Sequence, residues 1–248
     1  MLGGGEPMQD YQDAFGHEIL DYWRTGKGFE IVERDDGYFA LSGGPEMYFA
    51  THESWPPYYR EAMACVHGRV LDVGCGAGRH ALYLQEQGHE VVGIDSSPLA
   101  VQVARERGVR DVRELSITRV SRKLGRFDTI IMMGNNFGLL GDMRRGRWLL
   151  KRFHSITSGA GRIVAETTDP YDTTDPDHLA YHEFNRQRGR LGGQVQIRIR
   201  YKQFCTPWFD YWLASRQEVE ELVRGTGWRI DRFIPSGGPQ YIVILKKN

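Results

Sequence analysis

Val70-Leu71-Asp72-Val73-Gly74-Cys75-Gly76-Ala77-Gly78-Arg79 is the stretch on which the fold turns. Four strand-forming residues lead into three alternating glycines. From Arg79 a helical pattern then runs to position 87 and stops at Gly88, a residue suited to the left-handed position after a helix. Glycines so placed permit a sharp turn and let a ligand approach the backbone where a side chain would block it. The N–H groups opening the following helix stay available to an anion, so a nucleotide-like ligand is implied. Asp95 follows the next apolar run, residues 91–94, and stands where a carboxylate accepts hydrogen bonds from ribose hydroxyls.

Working outward, short apolar runs alternate with helical stretches, as in a mainly parallel sheet with crossover helices. Strands are expected at 70–73, 91–94, 111–115, 129–133 and 162–166. Helices are expected from Arg79, from Ser97-Pro98 and from about Asp142, the last carrying Leu149, Phe153 and Ile156 on one face. Residues 167–214 break the alternation and contain one half-exposed strand pattern, Val195, Ile197, Ile199 and Tyr201 separated by polar residues. Ser215 and Glu218 then form a capping box, and final strands are expected at 228–234 and 241–245. Toward the amino terminus, Phe15, Ile19, Tyr22 and Trp23 share one helical face, and Asp35-Asp36-Gly37 marks a hairpin turn between 29–33 and 38–41. Residues 1–68 therefore read as a helical and hairpin cap, and 69–248 as the main domain with an insertion at about 167–214.

The glycine segment Gly76-Ala77-Gly78-Arg79-His80-Ala81 also satisfies the dinucleotide fingerprint of an NAD(P)-dependent oxidoreductase. With Asp72 two residues before Gly74, however, the string closely resembles motif I of class I S-adenosylmethionine-dependent methyltransferases. The resemblance extends to Gly93-Ile94-Asp95-Ser96-Ser97, to Phe127-Asp128-Thr129-Ile130-Ile131, and to Thr226-Gly227-Trp228 with the closing strand pair, covering about 69–248 apart from the insertion. It implies an α/β fold with a Rossmann-like seven-stranded, mainly parallel sheet, helices on both faces and an antiparallel last strand. It also implies S-adenosyl-L-methionine as cofactor. Gly74, Gly76 and Gly78, with Cys75 as a small residue between them, would line the methionine portion, and Asp72 would position the loop or the ligand's amino group. Asp95 and the neighbouring Ser96 would hold the ribose, while Ser116 and Ile117 would flank adenine, Ser116 standing where many members carry Asp. Gly134 and Asn135, after strand four, complete the cofactor set; the Pro-Pro-aromatic string of many amino-directed nucleic-acid methyltransferases is replaced by Gly134-Asn135-Asn136-Phe137. Tyr48 and Phe49 lie where N-terminal elements of many small-molecule members close over the cofactor.

Composition narrows the partners. Lys plus Arg and Asp plus Glu are equal at 32 each, so no global field draws in nucleic acid or an anionic membrane. The basic residues Arg186, Arg188, Arg190, Arg198, Arg200 and Lys202 read as a solvated face. The apolar run 130–133 is far shorter than a membrane span, the Met1-Leu2-Gly3 start has no signal-peptide pattern, and three cysteines without a C-x-x-C spacing suit a reducing cytoplasm. His178 and His182 are four residues apart, but Leu179 occupies the glutamate position of an H-E-x-x-H metal motif, and no metal is expected.

The resulting expectation is in-line methyl transfer to a small organic acceptor, with His178, His182 and Tyr201 as candidate proton acceptors, His182 and Tyr201 foremost. Tyr48, Phe49 and His178 are the candidate substrate contacts, the pocket lying between the N-terminal segment and the insertion. Two other readings stay open: the oxidoreductase, and a non-catalytic S-adenosylmethionine-binding module acting through a protein partner. Nothing in the sequence sets the oligomeric state.

Overall fold

The computed structural model describes residues 8–248. The leading Met1-Leu2-Gly3 segment therefore lies outside the described residues. A turn at Asp10–Gln12 precedes α1 (Ala14–Thr25), and β1 (Ile31–Arg34) and β2 (Phe39–Leu41) form the expected hairpin. Next come α2 (Pro57–Met63), β3 (Val70–Val73), α3 (Arg79–Glu86), β4 (Val91–Asp95), α4 (Pro98–Glu106), β5 (Val112–Glu114), β6 (Phe127–Met132) and α5 (Met143–Ile156). β7 (Thr157–Thr168) leads to α6 (Pro176–Gln187), β8 (Gln194–Tyr201), β9 (Phe204–Cys205) and β10 (Phe209–Trp212), and the chain closes with α7 (Arg216–Val223), β11 (Trp228–Pro235) and β12 (Gln240–Lys247).

The main sheet has seven strands in the order β11-β12-β7-β6-β3-β4-β5. Six run in one direction, and β12 is antiparallel to them between β7 and β11. Alternation along the strands splits the interior into two cores. Leu71, Val73, Val92 and Ile94 face Leu149, Phe153 and Leu222 from α5 and α7. Val70, Val91, Ile131 and Ile244 face Tyr59, Met63, Leu84 and Val101 from α2, α3 and α4. The fifth parallel strand is longer than its apolar run suggested because α5 passes into it without an intervening turn.

The hairpin and the insertion, far apart in the chain, form a second sheet together. Its order is β10-β8-β1-β2, with β9 also paired to β8 and every pairing antiparallel. Cross-strand partners share a face. Glu30, Val32, Arg34, Tyr201, Ile199, Ile197, Val195, Phe209 and Tyr211 therefore fall on one side, and Ile31, Glu33, Arg198 and Arg200 on the other. On that second side Arg198 lies opposite Glu33 and grips its carboxylate through Nε at 2.6 Å and Nη2 at 2.9 Å, and Arg200 joins the same group. Arg186, Arg188, Arg190 and Lys202 likewise meet Glu183, Asp35, Asp210 and Asp21. All six basic residues of this stretch are thus paired with carboxylates.

The two guanidinium groups hold Glu33 down to about 2, the Arg198 hydrogen bonds being the largest cause. A depressed carboxyl stabilises the fold above its unfolded value near 4.3 and loses that contribution as pH falls through 2. Glu33→Gln should cost about 1 kcal/mol at neutral pH, discounted for the partly exposed arginines. Urea midpoints of the two proteins should converge as pH drops from 5 toward 2.

Candidate functional site

The glycine loop closes β3 at the carboxyl end of the main sheet, and its three glycines are required for different reasons. All have positive φ: 72° at Gly74, 51° at Gly76 and 80° at Gly78. A Cβ at Gly74 would lie 2.5 Å from the Asn136 amide, and one at Gly78 would lie 2.5 Å from Val109. At Gly76 the nearest atom is the Phe15 ring of α1 at 3.6 Å, so this glycine looks toward a helix laid over the loop.

Asp95 ties the loop to its neighbours. Its carboxylate accepts from Gly76 N at 2.9 Å and Ser97 N at 3.0 Å, which leaves acceptor positions for hydroxyls. Burial pushes its carboxyl up, and those two N–H groups work against that. Leu115 N donates to Asp95 O at 2.7 Å, bringing Ser116 and Ile117 alongside. Ser116 caps the short turn that follows, Ile117 is buried and Ser96 is exposed. Asp72 is buried with one carboxylate oxygen, Oδ2, lacking any donor, and burial with the nearby Asp95 pushes it up to about 7. Cys75 is buried and its thiol pKa is raised, first by burial and then by the two aspartates, so it fills space in the loop without being activated. An orphaned carboxylate oxygen beside a glycine loop, with spare ribose acceptors one strand away, fits a ligand bearing an ammonium and a nucleoside. Asp72 would meet the amino group of S-adenosylmethionine, and Asp95 its ribose.

The loop after β6 is held by a carboxylate absent from the sequence expectations. Glu166, near the end of β7, accepts from Gly134 N at 2.7 Å, Asn135 N at 2.9 Å and the Tyr58 hydroxyl at 2.9 Å, and from the Tyr59 hydroxyl. Gly134 and Asn135 both have positive φ, at 72° and 61°. Asn136 then donates to Val73 O at 3.0 Å and Gly74 O at 2.8 Å, clasping this loop to the glycine loop. Tyr211, from β10, donates to Asn135 O. Gly134 and Asn135 thus lie beside the glycine loop, and their N–H groups are taken up by Glu166.

Tyr48 packs edge-on against Phe15, with ring centroids 5.1 Å apart, and donates to Glu30 at 3.3 Å. Phe49 instead stacks on Trp23 and beneath the Arg107 guanidinium. The structure does not bring the other three candidates to the loops. Tyr201 donates to Asp21 at 2.8 Å. His182 is buried beside Tyr171, and that burial, ahead of nearby cations, lowers its pKa. His178 meets Tyr38 and Thr173. The signal that pointed to them was residue type alone, and each is engaged elsewhere. The roles of Asn136, Tyr59 and Glu166 were missed because hydrogen bonding across the fold leaves no local pattern.

With this geometry in view, likeness to known proteins is informative. Residues 70–161 match the family described as methyltransferase domain. Over 72 residues the chain is 47% identical to the 2-heptyl-1-hydroxyquinolin-4(1H)-one methyltransferase of Mycobacteroides abscessus, covering 27% of this chain and 32% of that protein. Over 122 residues it is 28% identical to the glycine/sarcosine N-methyltransferase of Halorhodospira halochloris, covering 47% and 46%. The chain thus spans less than half the length of these two relatives. A solved S-adenosylmethionine-dependent methyltransferase from Bacteroides fragilis, in complex with S-adenosyl-L-homocysteine, superposes with a TM-score of 0.82 at 27% identity and covers 98% of both chains. Residues 70–161 thus carry a methyltransferase domain, and over nearly its whole length the chain shares the fold of an S-adenosylmethionine-dependent methyltransferase solved with S-adenosyl-L-homocysteine.

Two outcomes follow from the site's electrostatics. Glu166→Gln turns an amide N–H₂ toward groups that are all donors and should destabilise the protein by about 1–3 kcal/mol in urea unfolding. Asp72 has its pKa raised on folding, so the folded state keeps a proton that the unfolded chain releases near 3.9. The stability penalty of ionising it grows from there until pH passes about 7. The stability of Asp72→Asn minus that of the parent should therefore rise between pH 4 and 7, by up to about 1.4 kcal/mol per pH unit, and then level off.

Proposed function

We propose that the chain transfers a methyl group from S-adenosylmethionine to a small organic acceptor held between the glycine loop and the inner face of the second sheet. The observation that carries the reading is the shared face of that sheet. Val32, Val195, Ile197, Ile199 and Phe209 are only partly buried there. At its edge Tyr211 reaches the loop after β6, and at its end Glu30 receives the Tyr48 hydroxyl. A half-buried apolar face beside a nucleoside-binding loop offers room for an apolar ligand. The small-molecule acceptors named for the two relatives support the same class.

Bound S-adenosylmethionine supplies a methyl group on a positively charged sulfur. Asp72 and Asp95 fix the two ends of the ligand, so the methyl direction is set by groups on rigid strand ends. Phe15 and Ile19 cover Gly76 and keep water from that side. The second sheet's role is alignment, because placing an acceptor atom in line with the methyl removes much of the entropic barrier. Tyr48 lines the acceptor side in this proposal. Tyr201 and His182 take no proton in it, since their contacts lie with Asp21 and Tyr171. The oxidoreductase reading loses ground to the sheet order, because antiparallel β12 departs from the dinucleotide-binding arrangement.

Calorimetry should show binding of S-adenosylhomocysteine in preference to NAD, and Asp95→Ala should weaken it by about 1–3 kcal/mol. Mass spectrometry of small-molecule extracts incubated with the protein and methyl-labelled S-adenosylmethionine should then reveal a labelled product. Preference for NAD would overturn the cofactor assignment, and cofactor binding without labelling of any extract component would favour the non-catalytic module.

A further inference from the structure

Glu18 occupies the inner side of α1, fully buried, with no donor to either carboxylate oxygen. Facing it is Glu30, just before β1, also buried, which receives the Tyr48 hydroxyl at 3.3 Å and that of Ser42. The two carboxyl groups are within reach of sharing a hydrogen bond. Their described electrostatic neighbours include no Lys, Arg or His. Two carboxylates in contact in a dry site do not both ionise. Burial first, and then Glu30, pushes Glu18 up to about 10, and burial raises Glu30. At neutral pH the pair keeps at least one proton and carries at most one negative charge.

The pair lies beside the face proposed above for the acceptor. Tyr48 packs on Phe15, the ring that covers Gly76, and Tyr211 feels the charge of Glu30 while holding Asn135 O. Buried acceptors without donors are costly, and apart from a proton shared with Glu30 the described residues offer Glu18 no donor. A ligand with N–H donors and one positive charge would satisfy both the geometry and the charge.

We infer that Glu18 and Glu30 form the recognition site for the acceptor, and that the acceptor is a small, largely apolar amine whose nitrogen sits against the two carboxyls while its body lies on the second sheet. This rests on the methyltransferase reading above. An anionic acceptor would add like charge to a buried acid pair, and an alcohol offers one donor and no charge. An arriving ammonium gives one N–H proton to the ionised member of the pair and becomes a neutral amine. The nitrogen lone pair forms the N–C bond as the C–S pair remains on sulfur. Positive charge thereby moves from sulfonium to nitrogen, and the transferred proton later leaves the pair for solvent.

Calorimetry on the intact protein tests this, first with S-adenosylhomocysteine alone and then, with that ligand saturating, with benzylamine against benzyl alcohol and tryptamine against tryptophol. The amines should bind at least tenfold more tightly than the alcohols. Glu18→Gln should weaken amine binding tenfold or more, change S-adenosylhomocysteine affinity less than twofold, and leave the melting temperature equal or higher. A merely structural carboxyl would instead lower the melting temperature on substitution. Equal binding of amines and alcohols, no amine binding, or undiminished amine binding by Glu18→Gln overturns the inference while leaving the methyltransferase reading intact. Failure of S-adenosylhomocysteine to bind removes both. Should Glu18→Gln not fold, Glu30→Gln supplies the same comparison.

Discussion

Much of the site's architecture hangs on the Glu166 carboxylate, which gathers two backbone N–H groups and two tyrosine hydroxyls from separate parts of the chain. Tyr58 and Tyr59 come from the helix packed on the last strands, Gly134 and Asn135 from the loop after β6. A buried carboxylate is tolerated when donors surround it, and this one converts that requirement into a fixed loop shape. Because Asn135 is held, its carbonyl is in place for Tyr211 of the second sheet. Because Asn136 follows it, the amide reaches the backbone of Val73 and Gly74. The glycine loop, the second sheet and the main sheet are therefore positioned through one chain of hydrogen bonds.

The other connection runs through α1. Asp13 caps this helix by accepting from Gly16 N, and its second oxygen accepts from Ser97 Oγ and Leu99 N at the start of α4. One side chain satisfies the exposed N–H groups of two helices and fixes their relative placement. With α1 so pinned, Phe15 and Ile19 lie over Gly76 and Glu18 turns inward. The N-terminal segment completes the wall of the site while the parallel sheet supplies its floor.

Buried carboxyls give this region a common electrostatic character. Asp72, Asp95, Glu18 and Glu30 are all pushed up by burial. By contrast, the six basic residues of the insertion have acidic partners. A neutral overall balance thus conceals a division: paired charge on the outer sheet, and unpaired acids around a loop suited to a ligand carrying an ammonium and a sulfonium. This favours positively charged or N–H-bearing ligands over anions.

The main sheet was legible in the sequence because its determinants are local. A buried strand, a glycine turn and a helix cap each fit within a dozen residues, so Val70 to Arg79 were sufficient to place the glycine loop, and the alternation of runs sufficed for the parallel strands. The hairpin at Asp35-Asp36-Gly37 was legible for the same reason. Pairing of that hairpin with β8 was not, because β-strands present similar backbone edges and the register between Glu33 and Arg198 is settled only when two distant segments meet. The histidines and Tyr201 drew attention by residue type, yet packing turned them toward Tyr171, Thr173 and Asp21. Glu18 did leave a trace, a carboxyl three residues after Phe15 on an otherwise apolar helix face. Whether it meets water, a cation or another acid depends on what the fold sets opposite it, and that was decided by the tertiary structure alone.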